Sequence, residues 1–153
     1  MKICKIGADE FEAVKSITHC TIKEIYPHYY PKGAVDFFLK HHSDENILRD
    51  INGGSVYLLK DENDAACGTV TVDKNHITRL FVLPECQGRG YGGELIRFAE
   101  ELIANNYDHI EIDASFSAKS IYLGKGYSFV EYNSIATDNG DFLCYDVMKK
   151  ELR

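Results

Sequence analysis

Hydrophobic positions along the chain change their period several times, and each change marks an element. Residues 2–6 alternate and predict a strand. After Asp9, a candidate helix cap, Phe11, Val14, Ile17, Ile22 and Ile25 recur at helical spacing until Pro27 stops them. Residues 26–33 read as a loop by their prolines and glycine. A second helix is predicted over about 34–42. A third opens after Ser43 or Asp44, carries Ile47, Leu48 and Ile51, and ends at Asn52-Gly53-Gly54. Three strands follow at 55–60, 66–73 and 76–83, with hairpin turns at 61–64 and 74–75. A glycine-rich turn then leads into a helix reaching about Asn105. Residues 109–113 predict another strand, 117–123 a short helix closed by Gly124-Lys125-Gly126. The last two strands, 127–132 and 142–149, flank an Asp138-Asn139-Gly140 turn.

The order β-α-α-α-β-β-β-α-β-α-β-β is a meander, then a β-α-β crossover, then a hairpin. It predicts an α/β fold of mixed α+β character: a mixed sheet of about six or seven strands with helices on both faces. It does not divide into the two β-α-β-α-β halves of a dinucleotide-binding fold. With 153 residues, a single domain over 1–153 is expected.

Composition adds exclusions. No 18-residue apolar stretch exists, so no membrane span or membrane partner is expected, and the N-terminus does not read as a signal peptide. A net charge of −7 argues against broad nucleic-acid binding and is compatible with a cationic acceptor. The five cysteines (Cys4, Cys20, Cys67, Cys86 and Cys144) are scattered, odd in number and without a C-x-x-C pair. No metal site or disulfide framework is predicted, and a cytoplasmic location is expected. Cys86 alone abuts candidate chemistry, either as a packing residue or as a reactive thiol.

That chemistry is Pro84-Glu85-Cys86-Gln87-Gly88-Arg89-Gly90-Tyr91-Gly92-Gly93, set between a strand and a helix start. Free N–H groups and the helix dipole favour an anion there, and glycines allow it close to the backbone. Three readings stay open on the residues alone. Gly88-x-Gly90-x-x-Gly93 fits a dinucleotide loop, with Asp113 about 20 residues on as the ribose acid. Gln87-x-x-Gly90-x-Gly92 fits the different pattern Q/R-x-x-G-x-G/A. A glycine-rich surface turn binds nothing. The second pattern resembles the pyrophosphate loop of the GCN5-related N-acetyltransferases, which hold acetyl-coenzyme A. Arg89 inside the loop, and the spacer between strand and first glycine, favour it over the dinucleotide loop. A second segment supports the resemblance: Ala118, Tyr122, Gly126 and Tyr127 match the family form N-x-x-A-x-x-x-Y-x-x-x-G-F/Y, with Ser115 where many relatives have Asn. The predicted element order is also that of the family, over nearly the whole chain.

The resemblance implies an N-acetyltransferase with acetyl-CoA as acyl donor, no metal, and a small-molecule or peptide primary amine as acceptor, acting as monomer or homodimer. It implies that Gln87, Gly88, Arg89, Gly90, Tyr91, Gly92 and Gly93 hold the pyrophosphate. Backbone groups of Leu80, Phe81 and Val82 would pair with the pantetheine arm, and Ser115 would contact the cofactor. Tyr122 would protonate the departing thiolate. A phenol near 10 and a thiol near 8.5 make that donation chemically reasonable. For the general base, Ile110 occupies the position of a family glutamate, and Glu111 is one residue out of phase. Counting back from Gln87 to the other family position gives His76, which is either a base or a solvated turn histidine. Acceptor contacts are expected from Tyr26, His28, Tyr29 and Tyr30, where a pocket wall and an aromatic packing corner are equal readings, with His41 and His42 nearby. The rivals are a non-enzymatic acyl-CoA-binding module and a nicotinamide-dependent oxidoreductase.

Overall fold

A computed structural model describes residues 1–153. Seven strands form one sheet: β1 (Lys2–Lys5), β2 (Val56–Lys60), β3 (Ala66–Asp73), β4 (His76–Val82), β5 (His109–Ala114), β6 (Ser128–Ala136) and β7 (Phe142–Glu151). Their spatial order is β1-β2-β3-β4-β5-β7-β6. Every neighbouring pair is antiparallel except β4 and β5. That parallel pair requires a crossover, and α4 (Tyr91–Ala104) supplies it. The mixed sheet predicted from the sequence is the one observed.

Side-chain alternation gives the sheet two apolar faces. On β5, Ile110, Ile112 and Ala114 point into a core shared with Leu95, Ile96, Ala99 and Ile103 of α4. The opposite face is covered by α1 (Phe11–Ile25), α2 (Lys32–His41) and α3 (Asp44–Asn52). There Val14, Ile17, Ile22, Ala34, Ile47 and Ile51 pack with Leu58 and Phe81. A short helix, α5 (Lys119–Gly124), follows β5 and turns Tyr122 into the α4-side core. No helix is long and apolar enough to cross a membrane.

Boundaries differ where local bonds outweigh composition. Asp9 is not a helix cap: it sits inside a 3-10 turn, and α1 begins after Glu10 with no side-chain cap. Ser43 does cap α3, accepting from the Asn46 N–H at 3.2 Å. α2 starts two residues earlier than its apolar pattern suggests, because the Pro31 carbonyl accepts from Ala34 and Val35. Tyr127 leaves the strand register: its ring is buried and its hydroxyl donates to Glu100.

The start of α2 is keyed to the β6–β7 turn. The Gly33 N–H donates to Asp141 Oδ2 at 2.8 Å. A Cβ on Gly33 would collide with Asn139 Oδ1 and Thr137 Oγ1, so only glycine lets the helix approach this closely. Gly33→Ala is therefore expected to cost about 1–3 kcal/mol by overpacking, read as a lower urea midpoint. An unchanged midpoint would show that the turn yields at no cost.

Candidate active site

Strands β4 and β5 pair over only two positions, His76 with Glu111 and Ile77 with Ile112. The register of β4 against β3 slips at the next residue, leaving Thr78 without a counterpart. A bulge bends its strand, and from this point β4 parts from β5. The slot between them opens toward the glycine-rich loop.

Strand geometry decides which backbone groups face the slot. The Leu83 N–H donates to Cys67 on β3. Alternation therefore turns the polar groups of Phe81 toward β3 and those of Leu80 and Val82 toward the slot. The Val82 carbonyl is already held there, by Gln87 Nε2 at 3.0 Å and Thr21 Oγ1 at 3.3 Å. Of the three strand residues expected to pair with a cofactor arm, Leu80 and the Val82 N–H are thus free to do so. Phe81 contributes its ring to the opposite core. Gln87, expected in the cofactor site, spends its side chain on closing the strand end.

The loop enters α4 through Gly88 and Gly90, with φ of 79° and 83°. Both lie in the left-handed region, and a Cβ at either would meet nothing within 4 Å. No N–H from Gly88 to Gly93 donates to a protein acceptor. These donors, with the dipole of a 14-residue helix, make an anion cradle. Arg89 is exposed beside it. Lys125, which sequence reasoning overlooked, extends its ammonium to 3.0 Å from where a Gly93 Cβ would stand, and it makes no ion pair. Cys86 is buried in the core under the loop, with Cys67.

At the far side of the slot, tyrosines cluster around the end of β5. Tyr122 is 3% exposed, and its ring lies 5.5 Å from that of Tyr127, tilted by 66°. Burial raises its phenol well above the ordinary value, and Tyr26 nearby adds to this. Its hydroxyl has no hydrogen-bond partner in the protein. Burial pushes Tyr26 up to about 12, with the Ser115 hydroxyl pulling the other way. Ser115 also bonds Ser117 at 3.0 Å. Tyr30 stacks on Phe116 at 5.1 Å; its hydroxyl accepts from the Phe116 N–H at 2.8 Å and donates to the Cys144 carbonyl at 3.2 Å. The structure thus brings Tyr26, Tyr30, Ser115 and Tyr122 together, the first two in a packed aromatic corner with Phe38 and Phe81. Tyr29 and His28 point to solvent.

On the α1–α3 face lies a polar pocket of about 320 Å³ with no hydrophobic residue in its lining. Its floor is Arg79, whose side chain is 2% exposed. Arg79 donates to Thr71 Oγ1 at 2.8 Å, Asp50 Oδ2 at 3.0 Å and His42 Nδ1 at 3.2 Å. His42 accepts and is therefore neutral. Burial, then the guanidinium and the nearby imidazoles of His41 and His19, push its pKa down to about 2. Arg79 and His42 escaped sequence reasoning as a pair, since 37 residues separate them. His76 sits at the closed end of the slot with both ring nitrogens engaged: Nε2 is 2.8 Å from Glu111 and Nδ1 is 3.1 Å from Asn75 Oδ1. Asp113, the next β5 residue on that face, makes no ion pair. Burial raises its carboxyl pKa; Glu111 and Glu131 add to this, and the His76 and His41 imidazoles oppose it.

The family model of the acetyltransferase (GNAT) domain matches residues 25–152. Solved structures share the fold at low identity. A GCN5-related N-acetyltransferase from Rhodopseudomonas palustris superposes with a TM-score of 0.88 at 19% identity, covering 98% of this chain and 94% of that one. The PaiA N-acetyltransferase of Thermoplasma acidophilum, solved with coenzyme A, gives 0.73 at 18% identity over 98% of both chains. YncA of Salmonella typhimurium, solved with its cofactor acetyl-CoA, gives 0.74 at 16% identity, covering 100% and 94%. Among curated proteins, none matches the chain by sequence.

The neutral His42 has a thermodynamic signature. The unfolded chain protonates it near 6.5, the folded one only at about 2. The stability this difference contributes is whole above pH 6.5 and drains away as pH falls toward 2. Inside that window it changes by about 1.4 kcal/mol per pH unit. In urea unfolding between pH 7.5 and 5, His42→Asn should lose stability less steeply than the parent by up to that slope. Equal slopes would refute a neutral buried imidazole.

Proposed function

The chain belongs to the acetyltransferase (GNAT) family, and on that premise we propose that it moves an acetyl group from acetyl-CoA to a primary amine by direct attack, with the whole of residues 1–153 acting as one cytoplasmic catalytic domain. The observation that carries this reading is the run of free N–H groups at the start of α4, opening onto the slot where β4 leaves β5. These residues fit the donor molecule. The loop from Gln87 to Gly93 suits a diphosphate, with Arg89 and Lys125 as flanking cations. The freed edge of β4 suits an amide-bearing arm that adds as a strand. Five unpaired cysteines support the location.

In the reaction the amine nitrogen bonds the acetyl carbon, the C–S bond breaks, and its electron pair goes to sulfur. One proton leaves the nitrogen and one reaches the sulfur. The slot-facing N–H groups of Leu80 and Val82 are the donors available to the carbonyl oxygen as it gains charge. Tyr122 offers its free hydroxyl to the sulfur. Because the phenol, ordinarily less acidic than the thiol, is raised further by burial, it acts first as a hydrogen-bond donor and yields its proton as charge on sulfur grows. His76, at the closed end of the slot on the acceptor face, is assigned the amine proton, which it takes on exchanging its contact with Glu111 or Asn75 for the amine. Tyr26 and Tyr30 form the wall between donor and acceptor sides.

Three variants separate these roles. Gly90→Glu puts a side chain and a charge into the cradle and should abolish acetyl-CoA binding in a folded protein, read by calorimetry; retained affinity would sink the loop assignment. Tyr122→Phe keeps the ring against Tyr127 and removes one hydroxyl. It should leave acetyl-CoA affinity intact and lower kcat roughly 100-fold, and parental turnover would return Tyr122 to a packing role. His76→Ala should lower kcat and remove the acidic limb of the pH–rate profile, because only the deprotonated base works. A profile of unchanged shape would leave His76 as a partner of Glu111 alone.

A further inference from the structure

The acceptor face of the slot has two ends of different chemistry. At one end Arg49 and Arg79 share a single carboxylate. Asp50 Oδ2 is 3.0 Å from Arg79 and Asp50 Oδ1 is 3.7 Å from Arg49. His42 is neutral, and the second carboxylate lining the pocket, Asp73, is exposed and makes no ion pair, so the four charges of this end balance and what sets it apart is its unused guanidinium donors. A guanidinium carries five N–H donors, and protein acceptors take three of those on Arg79. The remaining two belong to a side chain sealed from bulk solvent except through the polar pocket it floors.

At the other end the charge is negative. Asp113 has no cationic partner, and Glu111 beside it is held by His76. His41 lines the pocket, and its imidazole feels both the Arg79 guanidinium and the Asp113 carboxylate. Thr78 and Arg79, which line the pocket from β4, directly follow the last residue paired with β5. The pocket therefore abuts the slot at the point where it opens.

We propose that the acceptor is a small amino acid, its carboxylate held at the Arg49–Arg79 end and its amine presented beside Asp113 and Glu111. This rests on the transferase reading and narrows its acceptor. A carboxylate matches the planar fork of a guanidinium. It supplies the acceptors that the two unused N–H groups of Arg79 lack. A simple cationic amine would satisfy the Asp113 end and leave the arginine end unmet. About 320 Å³ suits a molecule of amino-acid size rather than a folded protein tail.

The test uses the full chain with acetyl-CoA and reads thiol release. The panel sets each acid against its carboxamide and its decarboxylated amine: leucine with leucinamide and isoamylamine, serine with serinamide and ethanolamine, and β-alanine with its amide and ethylamine. The acids should win by roughly 10- to 100-fold in kcat/KM, the size of a hydrogen-bonded charge contact. Arg49→Ala, at an exposed position, should erase most of that preference by raising KM for the acids. Arg79→Lys should do the same where melting shows that it folds. Amines equal to or better than their acids would overturn the proposal. So would a protein that binds acetyl-CoA and accepts no acid of the panel. Absence of a thermal shift with acetyl-CoA would be a different failure, since it overturns the transferase reading from which the acceptor follows.

Discussion

The rest of the site depends on a strand pair that is allowed to fail. Backbone N–H and C=O groups inside a protein must find partners, and a parallel pair in the middle of a sheet ordinarily meets that demand along its whole length. Here the β4–β5 ladder stops after two residue pairs. The orphaned groups are handled singly. Thr21 and Gln87 hold the Val82 carbonyl, and the Tyr30 hydroxyl holds the Phe116 N–H. What is left on the β4 edge is a short row of donors and acceptors in a slot with two ends. Its closed end is at His76 and Glu111, and its open end lies between the cradle at the start of α4 and the cluster of Tyr26, Ser115 and Tyr122 past the end of β5.

The acceptor face is built on a second costly arrangement, a guanidinium taken almost wholly out of water. Such a group is tolerated only with several well-placed acceptors. Asp50, Thr71 and His42 come from α3, from β3 and from the residue after α2. Arg79 therefore fixes the relative placement of three elements at once. The same bonds that satisfy the charge position His41 and Arg49 around the pocket. Losing the network would cost more than one contact, because its members leave one another unpaired.

The element order and the cradle were legible because both are local. Glycines followed by a helical period give a loop and its N–H groups without any knowledge of what packs nearby, and the hairpin turns announce the antiparallel strands. Other features depend on register or on distance in sequence. The bulge at Thr78 has no glycine or proline to mark it; only the pairing of β3 with β4 reveals it. Gln87 matched a motif, yet its side chain closes the strand, because the motif gives a position and not a rotamer. Lys125 is a plain lysine until the turn after α5 brings it over Gly93. Arg79 reads as a polar interruption in an apolar strand and acquires meaning only when His42 and Asp50 arrive from another part of the chain. The tyrosine-rich segment divides by periodicity: Tyr26 and Tyr30, four apart, share a buried face, while Tyr29 does not.

The fit of Gly33 against the β6–β7 turn bears on how the chain can change through insertion and deletion. Hairpin tips at a protein surface are usually where added residues are harmless. This tip is a key cut for one lock: Thr137 and Asn139 crowd the Gly33 Cα, Asp141 accepts its N–H, and Asp138 pairs with Lys40 at 3.0 Å farther along the same helix. That helix runs on to His41 and His42. A longer turn would unseat α2 in its first turn, at Gly33, and reach the acceptor pocket through its last residue, so loop length at this hairpin tip is constrained.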